Sequence, residues 1–343
     1  MKKILLLMLI SLLVANISFA QRCVVLQSAS GVFSFNGPNP FIDAYNAANH
    51  GDTIYLSGGS FNAPTLFNKK LYVFGAGYHP DSTIATNISM ISTNLNFGDS
   101  SDYSYLEGLY IPAGILTNYD VSIIGLTIKR CYINGGIHFQ GSLLTAPSQN
   151  VAIVESIIVG DLTFTNITNS TVQNSIIETR VVHSNSNIFK NNIFMYSSNN
   201  YNGVLVSPHN SQFINNVFLN TNGNALVYNI NNGNIFQYNM FHPSTNNFGS
   251  NSISNNNYVN VPLIDFFVNQ TLPTFNFSDN YHLVNPQNYI GNDGTQVGIY
   301  GGSFPFKPGG VPSNPHISFK NIASQTNSSG ELQIEIHVSA QND

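Results

Sequence analysis

An internal repeat constrains this chain more than any other feature. Phe189-Lys-Asn-Asn192-Ile193-Phe194, Phe213-Ile-Asn-Asn216-Val217-Phe218 and Phe236-Gln-Tyr-Asn239-Met240-Phe241 share one pattern: apolar, two variable residues, Asn, apolar, aromatic. Weaker copies precede them around Cys131, Ser156 and Ser175, and a degenerate one follows at Asn257-Tyr258-Val259. The centres lie at 131, 156, 175, 192, 216, 239 and 257, so the steps run from 17 to 25 residues and average 21. Self-similarity at such a period marks a stack of like units. The segments are too short for helical hairpins. They are rich in Val, Ile, Phe and Tyr and are broken by Asn-Gly, Ser-Asn and Asn-Asn pairs, so each coil predicts three short strands and three turns.

Stacking such coils at the ~4.8 Å strand spacing gives a parallel β-solenoid in which equivalent residues form columns. The column three before the centre is Ile128, Ile153, Val172, Phe189, Phe213 and Phe236; the column two after it is Ile133, Ile158, Ile177, Phe194, Phe218 and Phe241. Both are expected to point inward. The central column reads Cys, Ser, Ser and then four Asn. Asn tolerates the left-handed backbone region of a tight turn, and its amide can bond to its copy one coil away. The 51 Asn residues are thereby mainly architectural.

At these residues the chain resembles the right-handed parallel β-helix proteins of the pectate-lyase-like superfamily, in a secreted bacterial form. I-x-x-N-x-I is that family's common coil signature. Asn39-Pro40 predicts a short helix through Phe41, Ala44, Tyr45 and Ala48, with Asn as N-cap and Gly51 past its end. Gly51-Asp-Thr-Ile-Tyr-Leu56 through Phe61 and Leu71-Tyr-Val-Phe-Gly75-Ala-Gly77 match the family's capped start, and Gly291 to Gly302 resembles a last-coil motif. The resemblance covers roughly residues 23–305 and implies an all-β right-handed parallel β-helix with an N-terminal helical cap. It implies little about activity, because this architecture hosts lyases, hydrolases, adhesins and inert surface proteins.

Three segments follow. Residues 1–20 read as a secretory signal peptide, with Lys2-Lys3 ahead of an apolar run and small residues at Ser18 and Ala20. That run is too short to span a bilayer, and no later segment of the sequence is a transmembrane candidate. The mature chain is thus expected to be secreted or displayed at the cell surface. Residues 21–305 are the solenoid. Residues 306–343 begin with a Pro/Gly linker, after which Ile317-Ser-Phe319 and Leu332 to Ala340 alternate with a period of two and predict a β-hairpin. A cap over the open solenoid edge is the favoured role for it, a sorting signal the alternative. Cys23 and Cys131 read as separate buried thiols rather than a pair, although an oxidising compartment leaves pairing open.

Only 8 % of residues are charged and the net charge is −5. A nucleic-acid partner is disfavoured, since phosphate binding needs clustered Lys and Arg. Across adjacent coils Arg130 meets Glu155, and Asp161 meets Arg180. Paired charges on a solvated face are the favoured account; the alternative is a groove where an arginine neutralises a uronate. The W-x-D-H, R-x-P-x-x-R, N-T-D, G-H-G and Q-D-T-L segments of pectate lyases, polygalacturonases and pectin methylesterases are absent. An unfamiliar glycosidase would draw on Glu107, Asp120, Glu155, Asp161 or Glu178, and the sequence chooses none of them. His138, His183, His209 and His242 fall in no common column, and no spacing points to a metal or cofactor. The column Tyr132, Ile157, Ile176, Ile193, Val217, Met240 and Tyr258 is apolar over seven coils. Strict alternation points it outward as an exposed stripe suited to a partner; a covering loop or a broken alternation would bury it. The functional expectation is a non-catalytic protein of binding or adhesive type, with an extracellular glycan or surface protein as partner. The alternative is a polysaccharide lyase or glycosidase.

Overall fold

The computed structural model describes residues 22–142, 146–195, 203–219, 225–228, 232–242, 247–270 and 274–341. Residues 1–20, which the sequence reads as a signal peptide, lie outside them. The chain winds into a parallel β-solenoid of about eight turns, consistent with the right-handed parallel β-helix expected from the repeat. Three sheets run its length. Sheet A has twelve strands, sheet B nine and sheet C seven. One coil shows the plan: Thr127–Lys129 lies in sheet A, Tyr132–Ile133 in sheet B and Ile137–His138 in sheet C. Strand pairing keeps the register of the repeat, so Ile128 pairs with Ile153, Phe189 with Phe213, and Phe213 with Phe236.

Both columns expected inside are fully buried. Their Phe runs stack along the axis. Phe189–Phe213 and Phe213–Phe236 centroids are 5.0 and 4.8 Å apart, and Phe194–Phe218 are 4.4 Å apart with planes within 3°.

The central column forms the expected ladder. The Oδ1 of Asn216 accepts from Asn192 N–H at 2.9 Å and from Asn192 Nδ2 at 3.0 Å; Asn239 and Asn257 repeat this on the next coils. Each Asn Nδ2 also donates to a sheet A carbonyl, such as Asn216 Nδ2 to Phe189 O at 2.8 Å. The left-handed backbone, however, lies one residue before each centre. Arg130, Glu155, Asn174, Asn191, Asn215, Tyr238 and Asn256 have φ between 48° and 57°. The turn thus needs two residues, one to reverse the backbone and one to bond the next coil. A second ladder, not apparent from the repeat, supports the turn into sheet A through Ser170, Asn187, Ser211 and Asn234. The residue ahead of each rung is again left-handed: Asn169, Ser186, Asn210 and Gly233.

At the start, Cys23–Ser28 pairs antiparallel with Gly31–Asn36 and with Thr53–Leu56, giving sheet A an antiparallel beginning. The helix spans Pro40–Ala47 and buries Phe41, Ala44 and Tyr45 over the first coils. Asn39 occupies the N-cap position without a side-chain capping bond, because its Oδ1 accepts from Asn62 Nδ2 at 3.2 Å instead. Both cysteines are free. Cys131 is buried, whereas Cys23 is only half-buried. The predicted hairpin forms from His316–Ile322 and Ile334–Ser339, and these strands pair only with each other.

Candidate functional site

The sequence candidates separate into sealed and open groups. Arg130 and Glu155, expected on a solvated face, are both fully buried, and so is Glu107. Arg130 Nε donates to Glu155 Oε2 at 2.8 Å, and its Nη1 donates to Glu107 Oε1 at 3.2 Å. Glu107 also accepts from the Tyr105 hydroxyl and from the backbone N–H and hydroxyl of Ser313, each at 2.9 Å. Tyr78 packs over this cluster. Burial, with Cys131 and Glu155 nearby, pushes its phenol well above the ordinary range. The Tyr78 hydroxyl and Glu155 Oε1 are buried without a hydrogen-bond partner among the described residues. Burial likewise raises the Cys131 thiol to about 12.

What seals the cluster is the segment after residue 261. Gly291 to Gly302 is not a final coil, as the family resemblance implied. It runs back along the left-handed turn column toward the N-terminal coils. Asn215 Nδ2 donates to Asn292 Oδ1 at 3.0 Å and Asp293 Oδ2 at 3.2 Å. Asn174 Nδ2 donates to the carbonyls of Ile299 and Gly301 at 2.9 and 2.7 Å. Lys190 Nζ lies 3.0 Å from Asp293 Oδ2. The strap ends with Pro312 against Gly108 and Ser313 on Glu107. Gly301 is required here, since a Cβ would sit 1.8 Å from the Gln296 carbonyl.

The same segment overturns the exposed-stripe expectation. Alternation holds, and the column from Tyr132 to Tyr258 does face out of sheet B. Yet Ile157, Ile176, Ile193, Val217 and Met240 are buried, in a second core with Val261, Phe266, Tyr281, Val297, Ile299 and Phe306. Burying each such aliphatic side chain is worth about 1.5–3 kcal/mol, so the chain satisfies the stripe itself. Tyr258 and Tyr132 stay half-buried at its two ends.

The other carboxylates do not converge. Glu178 is buried and accepts from Phe275 N–H of the covering segment at 3.0 Å. Asp161 and Arg180 form the expected half-exposed pair, with Nε to Oδ1 at 3.2 Å and side-chain exposures of 20 % and 23 %. Asp161 precedes the sheet C strand Leu162–Thr163, whereas Asp120 follows the sheet C strand Ile115–Thr117 and is bonded to Ser142. The two therefore lie off opposite ends of that sheet. His138 bonds Thr163 Oγ1 at 2.9 Å and His242 the Val261 carbonyl at 3.1 Å; His183 is exposed and His209 half-buried. Among the described residues no three His, Cys, Asp or Glu side chains are grouped to hold a metal. No described helix is long and apolar enough to cross a membrane.

The open surface is the outer face of sheet A. On its N-terminal strands Tyr55, Tyr72, Phe74 and Tyr105 are half-exposed, and Tyr103 in the adjoining turn is 57 % exposed. Tyr55–Phe74 and Phe74–Tyr105 centroids are 5.7 and 5.5 Å apart. Lys70 Nζ lies 5.7 Å from the ring centres of both Tyr72 and Tyr103. The sequence reading missed this cluster. Its signal was the period-two spacing of Tyr72-Val-Phe74, which puts both rings on one side of a strand. No family model, curated protein or solved structure matches the chain.

Proposed function

We propose that the chain is an exported, non-catalytic protein of binding or adhesive type, on the pectate-lyase-like β-helix plan, acting at the cell surface or outside the cell on a glycan or surface protein. The reading rests chiefly on what the carboxylates do. Glu107, Glu155 and Glu178 are engaged in internal bonds beneath the strap. An acid and base for glycoside cleavage must face the same bond from about 5–9 Å apart, and Asp120 and Asp161 lie off opposite ends of sheet C. Residues 1–20 supply the export signal. A panel of neutral and acidic polysaccharides tests the proposal: retention without release of reducing or unsaturated ends is expected, and turnover of any member overturns it. Cell fractionation tests the location, with the chain expected outside the cytoplasm.

One observation favours the alternative, a polysaccharide lyase or glycosidase. Arg180, Asp161 and His138 gather at one end of sheet C, where Gly136 lies against both the Asp161 backbone and the His138 ring. If the panel shows turnover, Asp161→Asn is expected to abolish it.

A further inference from the structure

We infer that the aromatic cluster on sheet A is a binding site for a neutral polysaccharide chain, lying across the strands along the solenoid axis. The inference rests on the binding reading above and gives it a site and a ligand class. The outward residues on the first parallel strands of this sheet are Thr53 and Tyr55, then Tyr72 and Phe74, then Tyr105 and Glu107. Four of these six are aromatic and half-exposed. Elsewhere the chain covers apolar surface of this kind, as the strap covers sheet B. The rings of sheet A stay half-exposed.

A pyranose offers an apolar face of C–H bonds and a rim of hydroxyls. Tyr suits both, since its ring packs against the first and its hydroxyl bonds the second; the Tyr55 and Tyr105 hydroxyls, which donate to Gln27 and Glu107, meet it as acceptors. Strands ~4.8 Å apart repeat at nearly the length of one sugar unit, so successive rings can meet successive sugars. Charge decides for a neutral chain. Among the described residues Glu107 is the only outward carboxylate along sheet A, and it is buried. The cations near the face are already engaged or covered: Lys70 over Tyr72 and Tyr103, Lys190 on Asp293, and Lys129 only 9 % exposed. A polyuronate would find little to neutralise it.

The test uses the full mature chain and three insoluble or gel-fixed probes: cellulose, chitin and polygalacturonate. The variant is Tyr72→Thr with Tyr103→Asn. Thr keeps the strand preference, and Asn suits the left-handed turn at residue 103, where φ is 60°. Folding is therefore retained, and an unchanged unfolding midpoint checks it. Wild type is expected on cellulose or chitin, with retention insensitive to salt because no ion pairs are formed. The double variant is expected to lose about tenfold in affinity, and Tyr119→Ala, an exposed tyrosine beyond sheet C, to lose none. Equal binding by wild type and the double variant overturns the site. So does retention on polygalacturonate alone that collapses in salt. Adhesion to a cell surface with no retention on cellulose or chitin also overturns the site while leaving the binding reading intact. Turnover of a retained glycan, with the tyrosine dependence preserved, overturns the non-catalytic reading and leaves the site.

Discussion

At the scale of single residues, polar groups buried in pairs and ladders hold this molecule together. Arg130 lies between two buried carboxylates, so removing it leaves them uncompensated. Arg130→Met is expected to cost about 3–5 kcal/mol, and Glu107→Gln with Glu155→Gln in the same chain should recover most of it, both read from denaturant midpoints. Asn216→Ala strips the acceptor from two donors of Asn192 and removes one donor each from Asn239 Oδ1 and the Phe189 carbonyl. At about 1–3 kcal/mol per buried unsatisfied group it is expected to cost more than Asn257→Ala, where water at the half-buried end of the ladder can replace the lost acceptor of Asn239. The Cys131 thiol, pushed up to about 12, stays protonated at neutral pH. A thiol reagent at pH 8 is expected to modify Cys23 and to reach Cys131 only on unfolding. The Asn column was legible in the sequence because the repeat aligned it. The Glu107 bond was not, because its partner Ser313 lies 206 residues away.

At the scale of elements, the strap is the decisive part. Burial raises the Asp293 carboxyl, but bonds from Thr295 and Lys190 outweigh it and hold the group below the usual carboxylate range. A depressed folded-state pKa contributes stability that is present above the unfolded value and lost as pH falls through the folded one. The strap should therefore loosen on acidification below about pH 4, seen as faster amide exchange over residues 290–302, and Asp293→Asn should remove that dependence. Gly301→Ala is expected to release the strap to limited proteolysis. The motif from Gly291 to Gly302 was visible as a sequence, and its family likeness suggested a last coil. Its contacts with Asn174, Asn191 and Asn215 place it along the turn column instead.

At the scale of the whole molecule, the solenoid and the C-terminal hairpin make different demands. Ile322, Ile334, Ile336 and Val338 stay exposed, and the hairpin strands pair with no solenoid strand. Ending the chain at residue 314 should leave the unfolding midpoint unchanged. Ending it at residue 260 uncovers Ile157, Ile176, Ile193 and Val217 and should give an aggregating protein, as light scattering would show. Sequence alone determined the parallel coil, its three-sided form, the inward Phe columns and the Asn ladder, because a repeat stacks like on like at one strand spacing. It also determined that Asn rather than charge fills the polar column of the turn: a charge repeated on every coil would face its own copy, whereas an Asn bonds to its own. Tertiary structure decided which outward face stays open. Sheet B carries an unbroken outward apolar column, whereas sheet A is aromatic on its first parallel strands and then turns mixed at Glu107, Lys129 and Gln173, and neither pattern says which face a distant segment will cover. A segment more than a hundred residues from Ile157 lies across sheet B, so burial claimed that face and left the tyrosines of sheet A half-exposed.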